Sequence, residues 1–325
     1  MSQGSGDMPT EMTYQQLGPS GLTVSTVGLG CNNFGARMAD EDVPAVVNAA
    51  MDGGITLFDT ADVYGNAGGS EILLGEALGS RRAEVIIATK FGSDMRGANG
   101  PDWGARGSRR YIKIAVENSL RRLGTDWIDL YQLHEPDPNT PIEETLAALT
   151  EIVAEGKVRY IGSSNLGGWQ VIDADWTSRT SGFEAFISAQ NEYSWLNRSA
   201  EIELVPALEH TGLSLLPYFP LASGLLTGKY HRGQPAPAGT RLARNSARLD
   251  KADFDLVETI QVFAAERGLS MLQVALGGLA AMPTVGSVIA GATSEEQVKQ
   301  NLTAGLWVPS ADDLEAVLEI TKSDV

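Results

Sequence analysis

An α/β fold, specifically a (β/α)8 barrel of the TIM type, is what this sequence predicts, and three observations carry it. Short apolar runs rich in β-branched residues alternate with segments of helical period. There are eight such runs, the number that closes a parallel barrel. The main competitor is an open, doubly wound sheet, which carries a G-x-G-x-x-G turn after its first strand. Here that position reads "GLGCNNFG", residues 28–35, which lacks the spacing and does not open a helix.

The elements follow in order. Residues 1–11 read as a flexible tail, and 12–325 as a single barrel domain. "MTYQQLGPSGLTVSTVGLG" gives two β-like runs around the turn Gly18-Pro19-Ser20-Gly21, a hairpin expected to close the bottom of the barrel. The strand runs are 27–30, 56–58, 85–89, 128–133, 158–164, 186–190, 213–218 and 287–291. Helical segments over 43–52, 71–78, 108–123, 141–155 and 253–267 each end at a glycine (Gly53, Gly79, Gly124, Gly156 and Gly268). Glycine takes the left-handed C-cap without Cβ strain. After the third strand, "FGSDMRGANGPDWGARGSRR" has no regular period, and a loop of that length over the barrel mouth reads as functional or mobile.

Composition narrows the function. A formal net charge of -17 repels nucleic acid and anionic membrane alike, so neither partner is expected. No apolar run reaches the ~20 residues that cross a bilayer, and the N-terminus lacks the basic and apolar regions of a secretory signal. One cysteine, Cys31, excludes an internal disulfide and any multi-cysteine metal site. With three histidines, no bound metal is expected. A soluble protein of a reducing, cytoplasmic compartment fits.

Chemistry in such a barrel gathers where the strands end. Asp59 follows the second strand, Lys90 the third, His134 the fourth, Ser164-Asn165 the fifth, Gln190 the sixth and Tyr218 the seventh. Lys90 at the end of an apolar run needs a carboxylate, and Asp59 on the adjacent strand is the natural partner. Taken singly, this pair reads equally well as a structural salt bridge, His134 as a packed core histidine and Tyr64 as a loop tyrosine. Together on one rim they form a proton-transfer device. The ammonium is expected to acidify the phenol, the carboxylate to hold the ammonium, and histidine to bond the oxygen that the tyrosine serves.

"DTADVYGN", "IIATKFG" and "LYQLHEPD", in this order and at this spacing, resemble the aldo-keto reductases, and the resemblance extends to "GATSEEQVKQNL" near the end of the chain. It implies a catalytic tetrad of Asp59, Tyr64, Lys90 and His134. Tyr64 would give the proton, Lys90 and Asp59 would tune it, and His134 would orient the carbonyl oxygen. It also implies reversible reduction of aldehydes and ketones with NADPH rather than NADH. Ser164, Asn165 and Gln190 match residues that bond the nicotinamide carboxamide, and Tyr218 matches the aromatic stacked on its ring. Cys31, Asn32, Asp59, Phe219 and Pro220 complete that end of the cofactor site. Leu221, Ala222, Ser223, Gly224, Leu225 and Thr227 resemble the pyrophosphate loop, with Lys229 and Arg241 adding charge. Gly291, Thr293, Gln297 and Asn301 match the adenosine-phosphate region, where the next helix offers its N–H groups. Many family members carry lysine and arginine where this chain has Gly291 and Gln297, a departure that bears on the 2'-phosphate. For substrate, Asn33, Phe34, Phe91 and Trp103 are expected to line the pocket.

Two other readings remain open. One is an NADP(H)-binding sensor or accessory subunit with little turnover, as in the family members related to potassium-channel β-subunits. Those carry asparagine at the position of His134, so the histidine favours catalysis. The other is a Schiff-base lyase with Lys90 as nucleophile, since aldolases share a barrel and a strand-end lysine.

Overall fold

The computed structural model describes residues 11–244 and 246–322. Of the tail expected at 1–11, all but Glu11 lies outside them.

Eight parallel strands form a nearly closed barrel. They are β3 (Val27–Gly30), β4 (Leu57–Asp59), β5 (Ile86–Phe91), β6 (Ile128–Leu133), β7 (Val158–Ser164), β8 (Phe186–Glu192), β9 (Ser214–Tyr218) and β10 (Val288–Gly291). They pair in the order β10-β3-β4-β5-β6-β7-β8-β9. The seam between β9 and β10 is bridged just before β10, where Leu215 pairs with Val285 in parallel. There Leu215 N–H donates to the Thr284 carbonyl at 2.7 Å and Gly286 N–H to the Leu215 carbonyl at 2.8 Å. The short first strand pairs on both sides, with Gly30 opposite both Gly291 and Asp59. Glycine there lets the neighbouring backbones close together, since a Cβ on Gly30 would meet the Ile289 side chain at 3.1 Å.

A hairpin of β1 (Tyr14–Gln16) and β2 (Thr23–Ser25) plugs the N-terminal end. Its Leu17 and Val24 pack with Leu57, Ala88, Leu130, Ile187, Leu216 and Ile289, the residues that point into the barrel. The turn presses so closely that a Cβ on Gly18 would lie 2.1 Å from the Ile187 carbonyl oxygen.

The surrounding helices are α1 (Val43–Asp52), α2 (Tyr64–Leu78), α3 (Arg109–Leu123), α4 (Ile142–Ala154), α5 (Gly168–Ser181), α6 (Leu204–Thr211), α7 (Ser246–Asp250), α8 (Phe254–Glu266), α9 (Met271–Ala280), α10 (Glu295–Gly305) and α11 (Ala311–Ile320). The apolar faces of these helices meet the outward residues of the strands in the main core, among them Phe58, Ile87, Phe91 and Tyr131. Left-handed glycines close α3 at Gly124, α5 at Gly182 and α6 at Gly212. Among the described residues no helix is long and apolar enough to cross a membrane.

Burial corrects two pocket assignments. On β5, Ala88 and Lys90 point inward, so Phe91 points out and stacks on Tyr131 at 4.7 Å between ring centroids. Phe34 is likewise wholly buried in the helix-side core. Neither ring presents surface to a substrate.

Candidate active site

Lys90 is wholly buried, and its Nζ donates to both oxygens of Asp59 at 2.8 and 2.7 Å and to the Thr60 carbonyl at 2.8 Å. Asp59 is further held by Gln190 Nε2 at 2.7 Å and Gln132 Nε2 at 3.4 Å, both donating to Oδ1. These four side chains come from β4, β5, β6 and β8 and meet inside the barrel because each stands on the inward phase of its strand. Tyr64 lies directly above, with Lys90 Nζ 5.0 Å from its ring centroid. His134 meets the Tyr64 ring edge to face at 5.7 Å. The structure thus gathers Asp59, Tyr64, Lys90 and His134 at the C-terminal ends of β4, β5 and β6.

Electrostatics modify the expected tuning. Burial alone would lower the Lys90 ammonium, but the Asp59 charge and Tyr64 more than offset it, and its pKa ends above the ordinary value. An ammonium held this way is a poor nucleophile, which disfavours the Schiff-base reading. Burial raises the Tyr64 phenol; the Lys90 charge and hydrogen bond pull it down, yet the net shift is upward, with Asp59 and Asp62 adding to the rise. Lys90 thus acts on the phenol in the expected sense, but burial outweighs it. The cation offsets a desolvation cost that it does not overcome. Burial and the Lys90 charge lower His134 to about 3, so its imidazole is neutral at physiological pH. Its Nδ1 is buried with no hydrogen-bond partner among the described residues.

The residues matched to a cofactor fall into three groups. At the ends of β7, β8 and β9, Ser164 Oγ donates to the Gln190 carbonyl at 2.9 Å, and Tyr218 OH donates to Asn165 Oδ1 at 2.8 Å. Asn165, at φ +59°, donates from Nδ2 to the His134 carbonyl at 3.0 Å, which ties this rim to the tetrad. Gln190 is buried against Asp59, a role the sequence did not suggest.

The second group follows β9. Phe219, Ala222, Ser223 and Gly224 have φ of +53°, +46°, +62° and +96°, and Pro220, Leu221 and Leu225 complete the bend. Thr227 Oγ1 donates to the Gly224 carbonyl at 2.7 Å, and Lys229 folds beneath Gly224, where a Cβ would meet its Nζ at 3.2 Å. Arg241 lies over the Phe219 ring at 4.7 Å. Burial, then the charges of Arg37 and Arg248, lower it to about 10. Arg37 and Arg248 were not singled out from the sequence, because nothing local links "FGAR" to a segment some 200 residues away. Gln132 had a local signal: it stands two residues before His134, on the same inward phase.

The third group surrounds the exposed Gly291. Asn33 Nδ2 donates to the Ala292 carbonyl at 3.3 Å, and Asn32 is beside it. Asn301 Nδ2 donates to the Gly291 carbonyl at 3.4 Å, and Gln297 Oε1 accepts from the Thr293 N–H at 2.9 Å. Cys31 directly follows β3 at the C-terminal end of the barrel, where its backbone N–H donates to the Asp59 carbonyl at 2.8 Å. Its thiol packs on the helix side against the Leu29 carbonyl at 3.7 Å, and burial pushes its pKa up. Trp103 is 76% exposed beneath the Arg110 guanidinium, an open position that lines no pocket wall by itself.

Non-glycine residues with positive φ are Asn66, Ala67, Arg96, Trp103, Asn165, Phe219, Ala222 and Ser223 among the described residues. All follow the C-terminal ends of strands, the end at which barrels build their sites. A left-handed run after β9 with cations over and under it suits an anionic, phosphate-bearing group, and the small residues around Gly291 allow close approach. The residues present fit a dinucleotide.

A carboxylate-anchored ammonium, a phenol and a neutral imidazole on one barrel rim are the equipment of an oxidoreductase of carbonyl and alcohol groups. Comparison with known proteins agrees: the model of the Aldo/keto reductase family matches residues 26–322. The chain belongs to the aldo/keto reductase family, whose members work with nicotinamide cofactors on small carbonyl substrates. It is 37% identical over 300 residues to an uncharacterized oxidoreductase, YrpG, of Bacillus subtilis, covering 90% of this chain and 91% of that protein. It is 36% identical to a probable voltage-gated potassium channel subunit beta of Oryza sativa, covering 95% and 97%. It is also 36% identical to an L-glyceraldehyde 3-phosphate reductase of Escherichia coli, covering 90% and 88%.

Proposed function

We propose that the protein reduces aldehydes and ketones to alcohols with NADPH, reversibly, and that Tyr64 donates the proton. The observation that carries this reading is the tetrad itself: Lys90 seated on Asp59 at 2.8 and 2.7 Å, with Tyr64 and His134 in ring contact above it. When bound, the cofactor supplies hydride to the carbonyl carbon. Ser164 and Asn165 would hold its nicotinamide end, Tyr218 would stack on the ring, and the loop from Leu221 to Leu225 with Lys229 and Arg241 would hold phosphate.

The carbonyl oxygen gains negative charge as its carbon is reduced, so the site must offer donors there. A neutral His134 can donate one hydrogen bond and fix the carbonyl without carrying a charge of its own. Tyr64 donates the second and gives up its proton as the alkoxide forms. Its raised pKa keeps it protonated across the neutral range, which suits the direction of reduction. The phenolate then left faces the Lys90 ammonium, which Asp59, Gln190 and Gln132 hold in register. The preference for NADPH rests on Arg241 with Arg37 and Arg248 around it, since the first turn of α10 carries Glu295 and Glu296 and repels a phosphate there.

Tyr64→Phe tests the reading. Turnover of a reactive aldehyde such as 4-nitrobenzaldehyde should fall by roughly 10²–10⁴-fold, with NADPH binding by fluorescence titration unchanged. Retained turnover would refute Tyr64 as the donor. The accessory-subunit alternative draws its support from the plant channel-subunit relative; negligible aldehyde-dependent NADPH consumption by the wild type would favour it.

A further inference from the structure

Beneath Tyr64 lies a buried polar cluster that the chemistry above does not use. We propose that Asn99 and Arg122 are positioning residues, clamping the left-handed hook that carries Tyr64 and joining it to the glycine-rich segment after β5. The proposal rests on Tyr64 being the proton donor.

Tyr64 opens α2, but Gly65, Asn66, Ala67 and Gly68 all take positive φ, at 64°, 61°, 68° and 116°, before the regular helix resumes. Such a run persists only where its surroundings over-determine it. Arg122 of α3 lies directly under Gly68, where a Cβ would be 2.4 Å from its Cδ. Its Nε donates to Glu71 Oε2 at 2.6 Å, and the other Glu71 oxygen accepts from Thr89 Oγ1 at 2.6 Å. Thr89 adjoins Lys90, so the ion pair ties the hook to the strand that bears the ammonium.

Asn99 provides the second tie. Between Asp94 and Arg106 only Met95 and Asn99 are buried, Asn99 with 2% exposure. Its Oδ1 accepts from Asn118 Nδ2 at 3.1 Å and Arg122 Nη1 at 3.3 Å. Its Nδ2 donates to Asp62 Oδ2 at 3.1 Å and to the Tyr111 hydroxyl at 3.3 Å. Asp62 stands two residues before Tyr64, and its own N–H donates to the Lys90 carbonyl at 3.1 Å. The path from the long segment to the phenol is therefore short: Asn99, Asp62, Tyr64.

A simple salt bridge would be satisfied by Arg122 and Glu71 alone. The amide of Asn99 adds nothing to the charge balance. What it adds is a fixed distance between the segment that would cover the substrate and the residue that would protonate it. Small displacements of a proton donor are costly, because its alignment with the developing alkoxide is part of the rate. Asn99 and Arg122 touch no reacting atom and act through Asp62 and the hook.

Three variants measured together test this: Asn99→Ala, Arg122→Lys and Tyr64→Phe, with 4-nitrobenzaldehyde and NADPH. Arg122→Lys keeps the charge opposite Glu71 and loses the Nη1 hydrogen bond to Asn99, so it carries the test even if Asn99→Ala does not fold. Either clamp variant should keep its melting temperature within a few degrees and its NADPH dissociation constant, while kcat falls by about tenfold or more, an effect of misalignment. The solvent deuterium isotope effect on kcat should rise, because proton transfer becomes the slower event; a purely structural role would not move it. Wild-type kcat and isotope effect in the folded clamp variants, beside an inactive Tyr64→Phe, overturn the clamp and leave the donor standing. An active Tyr64→Phe removes both.

Discussion

His134 shows how burial selects one protonation state for a task. Its imidazole is held at about 3, against an ordinary value of 6.5, by burial and by the Lys90 charge. The unfolded chain therefore takes up a proton below pH 6.5 that the folded chain refuses. The contribution of His134 to stability is fully present above pH 6.5 and declines as the pH falls toward 3. The full decline is on the order of 5 kcal/mol, at about 1.4 kcal/mol per pH unit. Urea unfolding at a series of pH values should show wild type losing more stability between pH 6.5 and 4 than His134→Asn does. Parallel curves would mean that the imidazole is not held neutral. Its position at a strand end was legible in "LYQLHEPD", because an apolar run that stops at a polar residue marks the mouth of the barrel. The sense of the Tyr64 shift was not legible, because it depends on how completely other elements bury the phenol.

At the scale of elements, strand and helix boundaries followed the hydrophobic period closely, with 43–52 and 128–133 matching α1 and β6. Phe91 departs from the expected pocket wall because of its phase on β5: Lys90 faces in, so its neighbour must face out. The helix over Gly168–Ser181 is illegible in the sequence for a different reason. "GWQVIDADWTSRTS" has few apolar residues at helical spacing, and its Trp169 and Trp176 lie exposed. The left-handed loop after β9 had a partial signal in its glycines, but the positive φ of Phe219, Ala222 and Ser223 is set by tertiary contact. Around that loop, Arg241 is drawn down to about 10, with burial first and then Arg37 and Arg248 as the causes. Crowded cations favour an anion between them. Arg241→Ala should weaken NADPH binding by about 10–100-fold, the loss of one charge-assisted hydrogen bond, and weaken NADH binding far less. Fluorescence titration with both cofactors decides it. An equal loss for the two would assign Arg241 to the pyrophosphate and remove the basis for an NADPH preference.

Across the whole molecule, the two ends of the barrel have separate work. The strained loops, the tetrad and the cations gather at the C-terminal end, whereas the hairpin seals the N-terminal end with apolar side chains. The eight strand runs made the barrel legible, because eight short parallel strands with intervening helices have few other ways to bury both faces. The hairpin that seals its base was legible from its turn, whereas the contacts it makes there depend on Leu17 and Val24 reaching strands far away in the chain. Leu17 has no exposed surface and packs with Leu57, Ala88, Leu130, Ile187, Leu216 and Ile289. Leu17→Ala removes side-chain volume from a plug that cannot settle inward, since Gly18 already presses on the Ile187 carbonyl. The expected cost is about 2–5 kcal/mol of unfolding free energy, read as a lower urea midpoint at unchanged slope. Because the inward layer of Leu57, Ala88 and Leu130 stands between the plug and Asp59, Lys90 and Gln132, kcat/KM at 25 °C should be unaffected while the variant remains folded. A fall in kcat/KM at full occupancy of the folded state would show that the plug sets the spacing of the inward residues up to Asp59 and Lys90, and that the two ends are mechanically one.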